Sequence, residues 1–245
     1  LPVVGTKELV GWLPTLLGLG RGDVVVYPEI AYPTYEVGAQ VAGAQPVACD
    51  NPGAIPAGTR LVWINSPSNP SGRIFSRNQL RAWVAAAHQV GAVLASDECY
   101  GEFAWEAEAI SILDPRVNDG DLTGLLAVHS VSKRSNAAGY RAGFVAGDPA
   151  LVQDLVQARK HLGMMVPGPV QAALIAMLGD QEHVEEQRQR YLARRAVLRP
   201  ALEAADFRVD DSEGSLYLWA TRGEPCRDTI AWLAERGILA ARLAS

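Results

Sequence analysis

The chain has 245 residues, of which 49% are hydrophobic and 20% charged, and its formal net charge is −5. This length and composition support a sizeable buried core and exclude a disordered or fibrous chain. The acidic balance argues against a nucleic-acid partner, which requires a basic surface, and no apolar run approaches the ~20 residues that cross a membrane. The three cysteines lack disulfide or zinc spacing. They favour a reducing, cytoplasmic location, and we expect no metal site.

Short apolar runs alternate with helix-like segments in the first part of the chain. Most of these runs are almost entirely apolar, as strands buried on both faces are. The alternation predicts an α/β domain with a mostly parallel sheet. One helix is predicted to begin at Ser76, which forms a capping-box pattern with Gln79. The predicted strands are 24–27, 61–64, 92–96, 125–129 and 142–146.

Helical sequence dominates from about residue 148 onward. Asp148 followed by proline predicts a capped helix start, and Pro200 is expected to interrupt or kink the last long helix. We predict two parts: a large cofactor-binding domain over 1–185, and an interdomain helix with part of a small α+β domain over 186–245. The elements predicted after this helix are a strand over 215–221, a helix over 225–236 ending at Gly237, and a final strand from Ile238.

The most informative segment is 130–143, SVSKRSNAAGYRAG, which follows a predicted buried strand. A lysine at such a place is unusual, because burying an ammonium group without a partner is costly. Hydroxyl groups, a guanidinium and free backbone N–H groups are what a phosphate dianion binds. Taken alone, the segment is also compatible with a solvated turn whose Lys133 points outward.

Two neighbouring strands also run into polar segments, 65–72 (NSPSNPSG) and 97–100 (DECY). Separately these are compatible with an ordinary turn and an acidic loop. In open α/β sheets, however, ligands bind beyond the carboxyl ends of the strands. We therefore expect Asn69, Asp97 and Lys133 to meet at one edge of the sheet.

Two weaker signals lie nearer the start of the chain. A Gly5-Thr6-Lys7 turn precedes a helical run, and a helix N-terminus can bind an anion, although Thr6 could equally be a plain N-cap. Tyr32 could stack on a planar ring or simply pack beside Pro33.

Together these segments resemble the motifs of the fold-type I pyridoxal-phosphate enzymes, specifically the class I/II aminotransferases. The lysine motif S-x-S-K-x5-G-x-R-x-G, the asparagine motif N-P-x-G and the aspartate motif D-x-x-Y are present in the family's order. The resemblance covers essentially the whole chain. Segments such as GTKELVGWLPTLLGLG and SDECYGEF are similar to the sequences of actinobacterial N-succinyldiaminopimelate aminotransferases. It implies an aspartate aminotransferase-like fold, pyridoxal 5′-phosphate as cofactor, and a homodimer in the full-length family.

The resemblance also implies a role for each motif residue. Lys133 would form a Schiff base with the cofactor aldehyde and then carry a proton between Cα and C4′. Asp97 would keep the pyridine nitrogen protonated, and Tyr100 and Asn69 would hydrogen-bond the 3′ oxygen. Tyr32 would stack on the ring, and the Asn69–Pro70 peptide would be cis. The phosphate would be held by Gly5, Thr6, Lys7, Ser130 and Arg141.

The implied reaction moves an amino group between an amino acid, such as glutamate, and a 2-oxo acid. The candidate acceptor is N-succinyl-2-amino-6-oxopimelate of lysine and diaminopimelate biosynthesis. The alternatives are another fold-type I reaction, such as that of a β-lyase or of an aminotransferase with different specificity, and a non-catalytic remnant.

Family members normally carry a longer segment before the Gly5 turn and a carboxylate-binding arginine near the C-terminus. Arg242 lacks the sequence context of that arginine. We therefore expect a chain truncated at both ends, with weak activity when it is isolated.

Overall fold

The computed structural model describes residues 1–241, and its main feature is a seven-stranded sheet covered by helices on both faces. The strands are β1 (Pro2–Val3), β2 (Val24–Tyr27), β3 (Gln45–Ala48), β4 (Thr59–Asn65), β5 (Val93–Asp97), β6 (Leu125–Ser130) and β7 (Gly143–Gly147), followed by β8 (Arg208–Asp210) and β9 (Trp219–Thr221), which form a separate hairpin sheet. The helices are α1 (Thr6–Leu16), α2 (Thr34–Ala42), α3 (Arg77–Val90), α4 (Pro115–Asn118), α5 (Val131–Arg134), α6 (Pro149–His161), α7 (Gly168–Gly179), α8 (Glu182–Ala204) and α9 (Cys226–Ala234).

The main sheet has the strand order β1-β7-β6-β5-β4-β2-β3. Strands β2 to β6 run parallel, whereas β7 and β1 pair antiparallel at one edge. The register places Asn65 at the end of β4 beside Asp97 at the end of β5. The α/β fold class with a mostly parallel sheet is confirmed, and the five predicted strands fall on β2 and β4 to β7.

Two apolar layers enclose this sheet. Alternate side chains of β4 face opposite layers, so that Trp63 packs among α1, α2 and α6 while Ile64 packs against α3 and α4. Both side chains are about 1% exposed. Full burial of a large apolar side chain contributes roughly 1.5–3 kcal/mol. The sheet is thereby held rigidly, which fixes the positions of the polar groups at its edge.

The predicted helix starts are confirmed. The Ser76 hydroxyl accepts from the Gln79 N–H at 3.4 Å, and the Gln79 side chain accepts from the Ser76 N–H at 2.8 Å. At the start of α6, Asp148 accepts from the Ala150 N–H at 2.8 Å, with Pro149 in the first turn. At α1, however, Gly5 is the N-cap residue and Thr6 is already helical, so the N-cap interpretation of Thr6 is wrong.

Three details near the C-terminus differ from the predictions. Helix α8 continues through Pro200, and the Arg195 and Arg199 side chains, which both precede the proline, are held by Glu106. The strand predicted over 215–221 is limited to β9, since the residues before it bind other loops. No strand forms over 238–241, and the rest of that predicted strand, including Arg242, lies outside the described residues.

Residue 186 falls inside α8, so the predicted division between 1–185 and 186–245 crosses a continuous helix. That division stays a prediction. Strands β1, β3 and β8, helix α2 and the short helices α4 and α5 were not predicted. Strand β3 is an edge strand with little burial, where Pro46 is tolerated because one side of the strand has no partner to bond.

No helix over residues 1–241 is both long and apolar enough to cross a bilayer. Within the same residues, no three His, Cys, Asp or Glu side chains come together as metal ligands.

Candidate active site

A pocket of about 250 Å³ lies at the carboxyl ends of β4, β5 and β6. It is lined by all but one of the residues predicted from the sequence motifs, and the remaining one, Gly5, lies against a residue of the lining. The interpretation of Lys133 as an outward-pointing residue is therefore wrong. The predicted residues in the lining are Thr6, Lys7, Tyr32, Asn69, Asp97, Tyr100, Ser130, Lys133 and Arg141.

Asp97 ends β5 and is only 8% exposed. Its Oδ2 accepts a hydrogen bond from the Tyr35 hydroxyl at 2.8 Å, and its Oδ1 accepts from the Cys99 N–H at 3.1 Å. Burial and then the Asp97 carboxylate raise the pKa of Tyr35 well above its ordinary value, so Tyr35 stays a donor. The carboxylate is thus fixed from two sides. Tyr35 was missed by the sequence analysis, although it lies three residues after Tyr32.

The asparagine loop is built around Asn65, a second residue that the sequence analysis did not single out. Its side-chain Nδ2 donates to the Asp97 carbonyl at 2.8 Å and to the Pro67 carbonyl at 3.1 Å. Its Oδ1 accepts from the Asn69 N–H at 2.7 Å. The Asn69–Pro70 peptide is cis as predicted, and Ser66–Pro67 is cis as well. The hydrogen bonds of the Asn65 side chain hold Asn69 at the pocket beside Asp97.

The opposite end of the pocket is suited to an anion. Helix α1 begins at Gly5, whose φ is +71° and which provides no side-chain cap, so the first N–H groups of the helix are not capped by that residue. The Ser130 hydroxyl caps α5 by accepting from the Ser132 N–H at 3.1 Å. The Arg141 guanidinium lies where a side chain at residue 5 would be. Helix N-termini, hydroxyls and a guanidinium all favour a phosphate group.

Lys7 and Tyr32 form one wall of this end. The Lys7 ammonium lies 5.6 Å from the centre of the Tyr32 ring, a cation–π arrangement. The Lys7 side chain is therefore directed to the ring of Tyr32.

Lys133 lies on the short helix α5 and is half-buried. Within residues 1–241 its ammonium group makes no ion pair or hydrogen bond with another side chain. The adjacent Arg134 is buried and points elsewhere, binding Glu102 at 2.9 Å and the Met177 carbonyl at 2.6 Å. Arg134 therefore fixes α5 against α7, and Lys133 is left facing the pocket.

Tyr100 and Cys99 complete the wall that follows β5. Burial raises the pKa of Tyr100 far above its ordinary value, so its phenol stays protonated. Burial and then Asp97 raise the pKa of the Cys99 thiol, which donates to the Thr6 hydroxyl at 3.3 Å. Cys99 lines the pocket in addition to packing against its surroundings.

A mostly parallel sheet with a lysine, an aspartate and an anion-binding helix start at its carboxyl edge is the arrangement of an aminotransferase of the fold type proposed from the sequence. The sequence model of the family "Aminotransferase class I and II" matches residues 1–242, and the chain belongs to this family. Over 242 residues it is 58% identical to a probable aminotransferase of Mycobacterium tuberculosis, which covers 98% of this chain and 58% of that protein.

Another relative is the 4-dedimethylamino-4-oxo-anhydrotetracycline transaminase OxyQ of Streptomyces rimosus, which is 57% identical over 98% of this chain and 67% of that protein. Among solved structures, an aminotransferase of Staphylococcus aureus superposes with a TM-score of 0.87 at 26% identity, over 97% of this chain and 66% of that one. The N-succinyldiaminopimelate aminotransferase of Mycobacterium tuberculosis superposes with a TM-score of 0.82 at 25% identity, over 98% and 67%. The chain thus spans about three fifths to two thirds of these proteins, and the predicted family and fold are confirmed.

Proposed function

We propose that this chain carries the reaction centre of a pyridoxal-phosphate-dependent aminotransferase. The observation that carries the proposal is that one pocket combines Lys133, the doubly hydrogen-bonded carboxylate of Asp97 and an anion-binding end. Membership of the aminotransferase class I and II family supports it. The cytoplasmic location inferred from the cysteines is part of the same proposal.

The residues of the pocket fit the cofactor. A side chain at residue 5 would collide with the Arg141 guanidinium, so the missing side chain of Gly5 leaves room for a cation at the start of α1. Thr6, Ser130 and Arg141 there supply two hydroxyls and a guanidinium, the groups that bind a phosphate dianion. Tyr32 offers a ring face and Asp97 an anionic partner for a pyridinium.

Each of these side chains then has a definite task. Bound pyridoxal phosphate supplies an electron sink for a carbanion at the substrate Cα. Asp97 would hold the proton on the ring nitrogen, and Tyr35 would hold Asp97 in place. Lys133 would bind the aldehyde carbon covalently and then move the substrate proton. Tyr100 and Asn69 would hydrogen-bond the 3′ oxygen, with Tyr100 as a donor because its phenol stays protonated.

We propose glutamate as amino donor and a 2-oxo acid such as N-succinyl-2-amino-6-oxopimelate as acceptor. The structural likeness to the N-succinyldiaminopimelate aminotransferase supports this choice. A second acceptor class, a cyclic ketone, is favoured by the 57% identity to OxyQ, whose name denotes an oxo-anhydrotetracycline. Single-turnover rates with each acceptor, after conversion of the cofactor by glutamate, distinguish the two.

For the whole protein we propose a homodimer. Helix α7 and the loop before it carry apolar side chains that are largely exposed, with Ile175 71%, Met165 64% and Leu162 60% exposed. Patches of this kind mark interaction sites. Light scattering of the full-length protein is expected to give a dimer, and Ile175→Lys to weaken it.

The covalent attachment tests the proposal directly. The chain is incubated with pyridoxal phosphate, reduced with borohydride and digested, and the modified peptide is identified by mass spectrometry. We expect the label on Lys133, loss of labelling in Lys133→Arg, and unchanged labelling in Lys160→Arg, a matched change on the exposed end of α6. Labelling of Lys7 or Lys160 instead, or none, contradicts the proposal.

Addition of glutamate to the protein loaded with pyridoxal phosphate, without borohydride reduction, separates the remaining alternatives. An aminotransferase converts its bound cofactor to the amine form, with loss of the aldehyde absorbance and release of 2-oxoglutarate. A β-lyase leaves the absorbance unchanged by glutamate and releases pyruvate from a β-substituted alanine. A non-catalytic remnant does neither.

A further inference from the structure

Tyr217 enters the pocket from a part of the chain more than eighty residues beyond Lys133. Its hydroxyl lies 3.3 Å from the Tyr100 hydroxyl, and the two rings meet edge to face with their centres 5.9 Å apart. Tyr100 is 6% exposed, whereas Tyr217 is 39% exposed, and both line the pocket. Neither composition nor the three sequence motifs pointed to this residue.

The backbone just before Tyr217 is bound to the loop that carries Asn69. The Ser212 N–H donates to the Ser71 carbonyl at 2.8 Å, and the Gly214 N–H donates to the Gly72 carbonyl at 2.7 Å. A side chain at residue 214 would come within 2.8 Å of the Pro67 side chain, so this close approach requires glycine. We call residues 212–217 the anchored segment.

A second loop, on the other side, binds the anchored segment as well. The Glu213 carbonyl accepts from the N–H groups of Trp105 and Glu106, at 2.8 and 3.0 Å. The Trp105 indole N–H donates to the Ser215 carbonyl at 2.7 Å. Because Trp105 follows Tyr100 closely in sequence, one set of hydrogen bonds ties the backbone of both tyrosines together. The spacing of their hydroxyls is therefore set by the fold.

We propose that Tyr217 is a positioning residue that donates its hydroxyl proton to the Tyr100 oxygen and so directs the Tyr100 proton toward the cofactor. This inference rests on the proposed function. A phenol hydroxyl donates one hydrogen bond and can accept another. If Tyr100 donates to the 3′ oxygen of the cofactor, its own oxygen is left to accept, and Tyr217 is the hydroxyl in reach. A chain of two such bonds strengthens the second one.

The direction of the Tyr217–Tyr100 bond has a measurable consequence. A donor to the 3′ oxygen stabilises its ionised form and lowers the pH at which bound pyridoxal phosphate changes its absorbance. Loss of the Tyr217 proton weakens that donor, so Tyr217→Phe is expected to raise the transition by about half a pH unit, the size of one modest hydrogen bond. If Tyr100 instead donates to Tyr217, the same variant frees Tyr100 for the cofactor and lowers the transition.

The experiment is a spectroscopic pH titration of the wild-type chain loaded with pyridoxal phosphate and of four variants. Tyr217→Phe should shift the transition upward, Tyr100→Phe should shift it further, and the double variant should equal Tyr100→Phe, because Tyr217 acts only through Tyr100. Tyr191→Phe is the matched control, since Tyr191 packs against Phe103 outside the pocket. Urea unfolding of each variant checks that the fold is retained.

An unchanged or lowered transition in Tyr217→Phe, or equal shifts from Tyr217→Phe in the presence and absence of the Tyr100 hydroxyl, overturns the inference. Failure of the wild-type chain to bind pyridoxal phosphate at Lys133 overturns the proposed function instead. The two failures are therefore distinguished by the wild-type spectrum alone.

Discussion

Asp97 shows how much of the site depends on a residue outside the sequence motifs. A buried carboxylate requires donors to replace its water, and Asp97 obtains them from the Tyr35 hydroxyl and the Cys99 N–H. The backbone donor follows from the turn after β5. The Tyr35 donor comes from α2 on another part of the sheet, so it is the part of the arrangement that a substitution can remove.

Tyr35→Phe removes that hydroxyl and keeps the ring that packs against Trp63. A hydrogen bond to a charged group contributes roughly 1.5–3 kcal/mol, so we expect Cα deprotonation to slow about tenfold or more while pyridoxal phosphate still binds at Lys133. Single-turnover absorbance changes with glutamate measure this rate. Asp97→Ala should slow the same step far more, and a Tyr35→Phe variant with the wild-type rate would show that the carboxylate needs no second donor.

The Cys99 thiol is expected to react slowly with alkylating reagents although it lines the pocket. Its thiol pKa is raised in the folded protein, so the neutral form is favoured and the reactive thiolate is scarce at pH 8. Iodoacetamide should label the exposed Cys226 first, as read by mass spectrometry, and in denaturant Cys99 and Cys226 should react alike. The same raised pKa stabilises the fold below about pH 8.5, and this contribution is lost as the pH rises toward the folded-state value. Equal labelling rates in the folded chain would contradict this account.

At the scale of the elements, the start of α1 is set by the backbone of Gly5. Its φ of +71° and ψ of 152° belong to a region that is almost restricted to glycine, and the Arg141 guanidinium lies where a Cβ would project. Conformation and close approach therefore coincide at the residue that precedes the anion-binding turn.

Gly5→Ala is expected to destabilise the chain by about 1–3 kcal/mol and to weaken pyridoxal phosphate binding about tenfold or more, because Arg141 must move. Gly18→Ala is the control: it lies beyond the other end of α1, also has a positive φ (+74°), and has open space around it. It should lose stability, by about 1 kcal/mol, without weakening cofactor binding. Urea unfolding and fluorescence titration measure the two effects, and equal loss of affinity in both variants would exclude the role of Arg141.

The elements that sequence reasoning predicted well are those with a local signal. Strands β4, β5 and β6 contain nearly continuous apolar runs, and the start of α3 carries a capping box over residues 76–79. These strands and this helix start were therefore predictable from the local sequence. Asn69, Asp97 and Lys133 were found because each lies at the carboxyl end of such a strand or within four residues of it. Tyr35 and Tyr217 were not, since their importance arises from contacts with residues 62 and 117 positions away. Helix α8 was predicted to be interrupted or kinked at Pro200 but is continuous to Ala204, and its contacts with Glu106 come from a residue 89 and 93 positions away.

At the scale of the whole molecule, Glu106 joins helix α8 to the part of the chain that carries the main sheet. It accepts from Arg195 at 2.9 Å and from Arg199 at 2.6 Å, and Arg195 also donates to the Ser212 carbonyl. The Arg195 side chain is only 11% exposed, so the Arg195–Glu106 ion pair is partly buried and not a simple surface pair.

Glu106→Gln is expected to lower the free energy of unfolding by about 1 kcal/mol, the upper range for ion pairs near a surface. Glu186→Gln provides the comparison, because it removes only an exposed pair with Arg190 within α8, worth roughly 0.2–0.5 kcal/mol. Urea midpoints of the two variants measure the difference. Losses of the same size would mean that Glu106 does not join the two parts.

The anchored segment also determines where the molecule can bend. Ser212, Glu213 and Gly214 are hydrogen-bonded to loops on two sides of the pocket, so they move with the sheet although they follow α8 in sequence. Because β9 is paired with β8, a swing of this hairpin and α9 toward or away from the pocket would pivot at both ends of the anchored segment, after Asp210 and before Trp219. In such a movement Tyr217 would stay with the sheet and the pocket, while the chain beyond it turns.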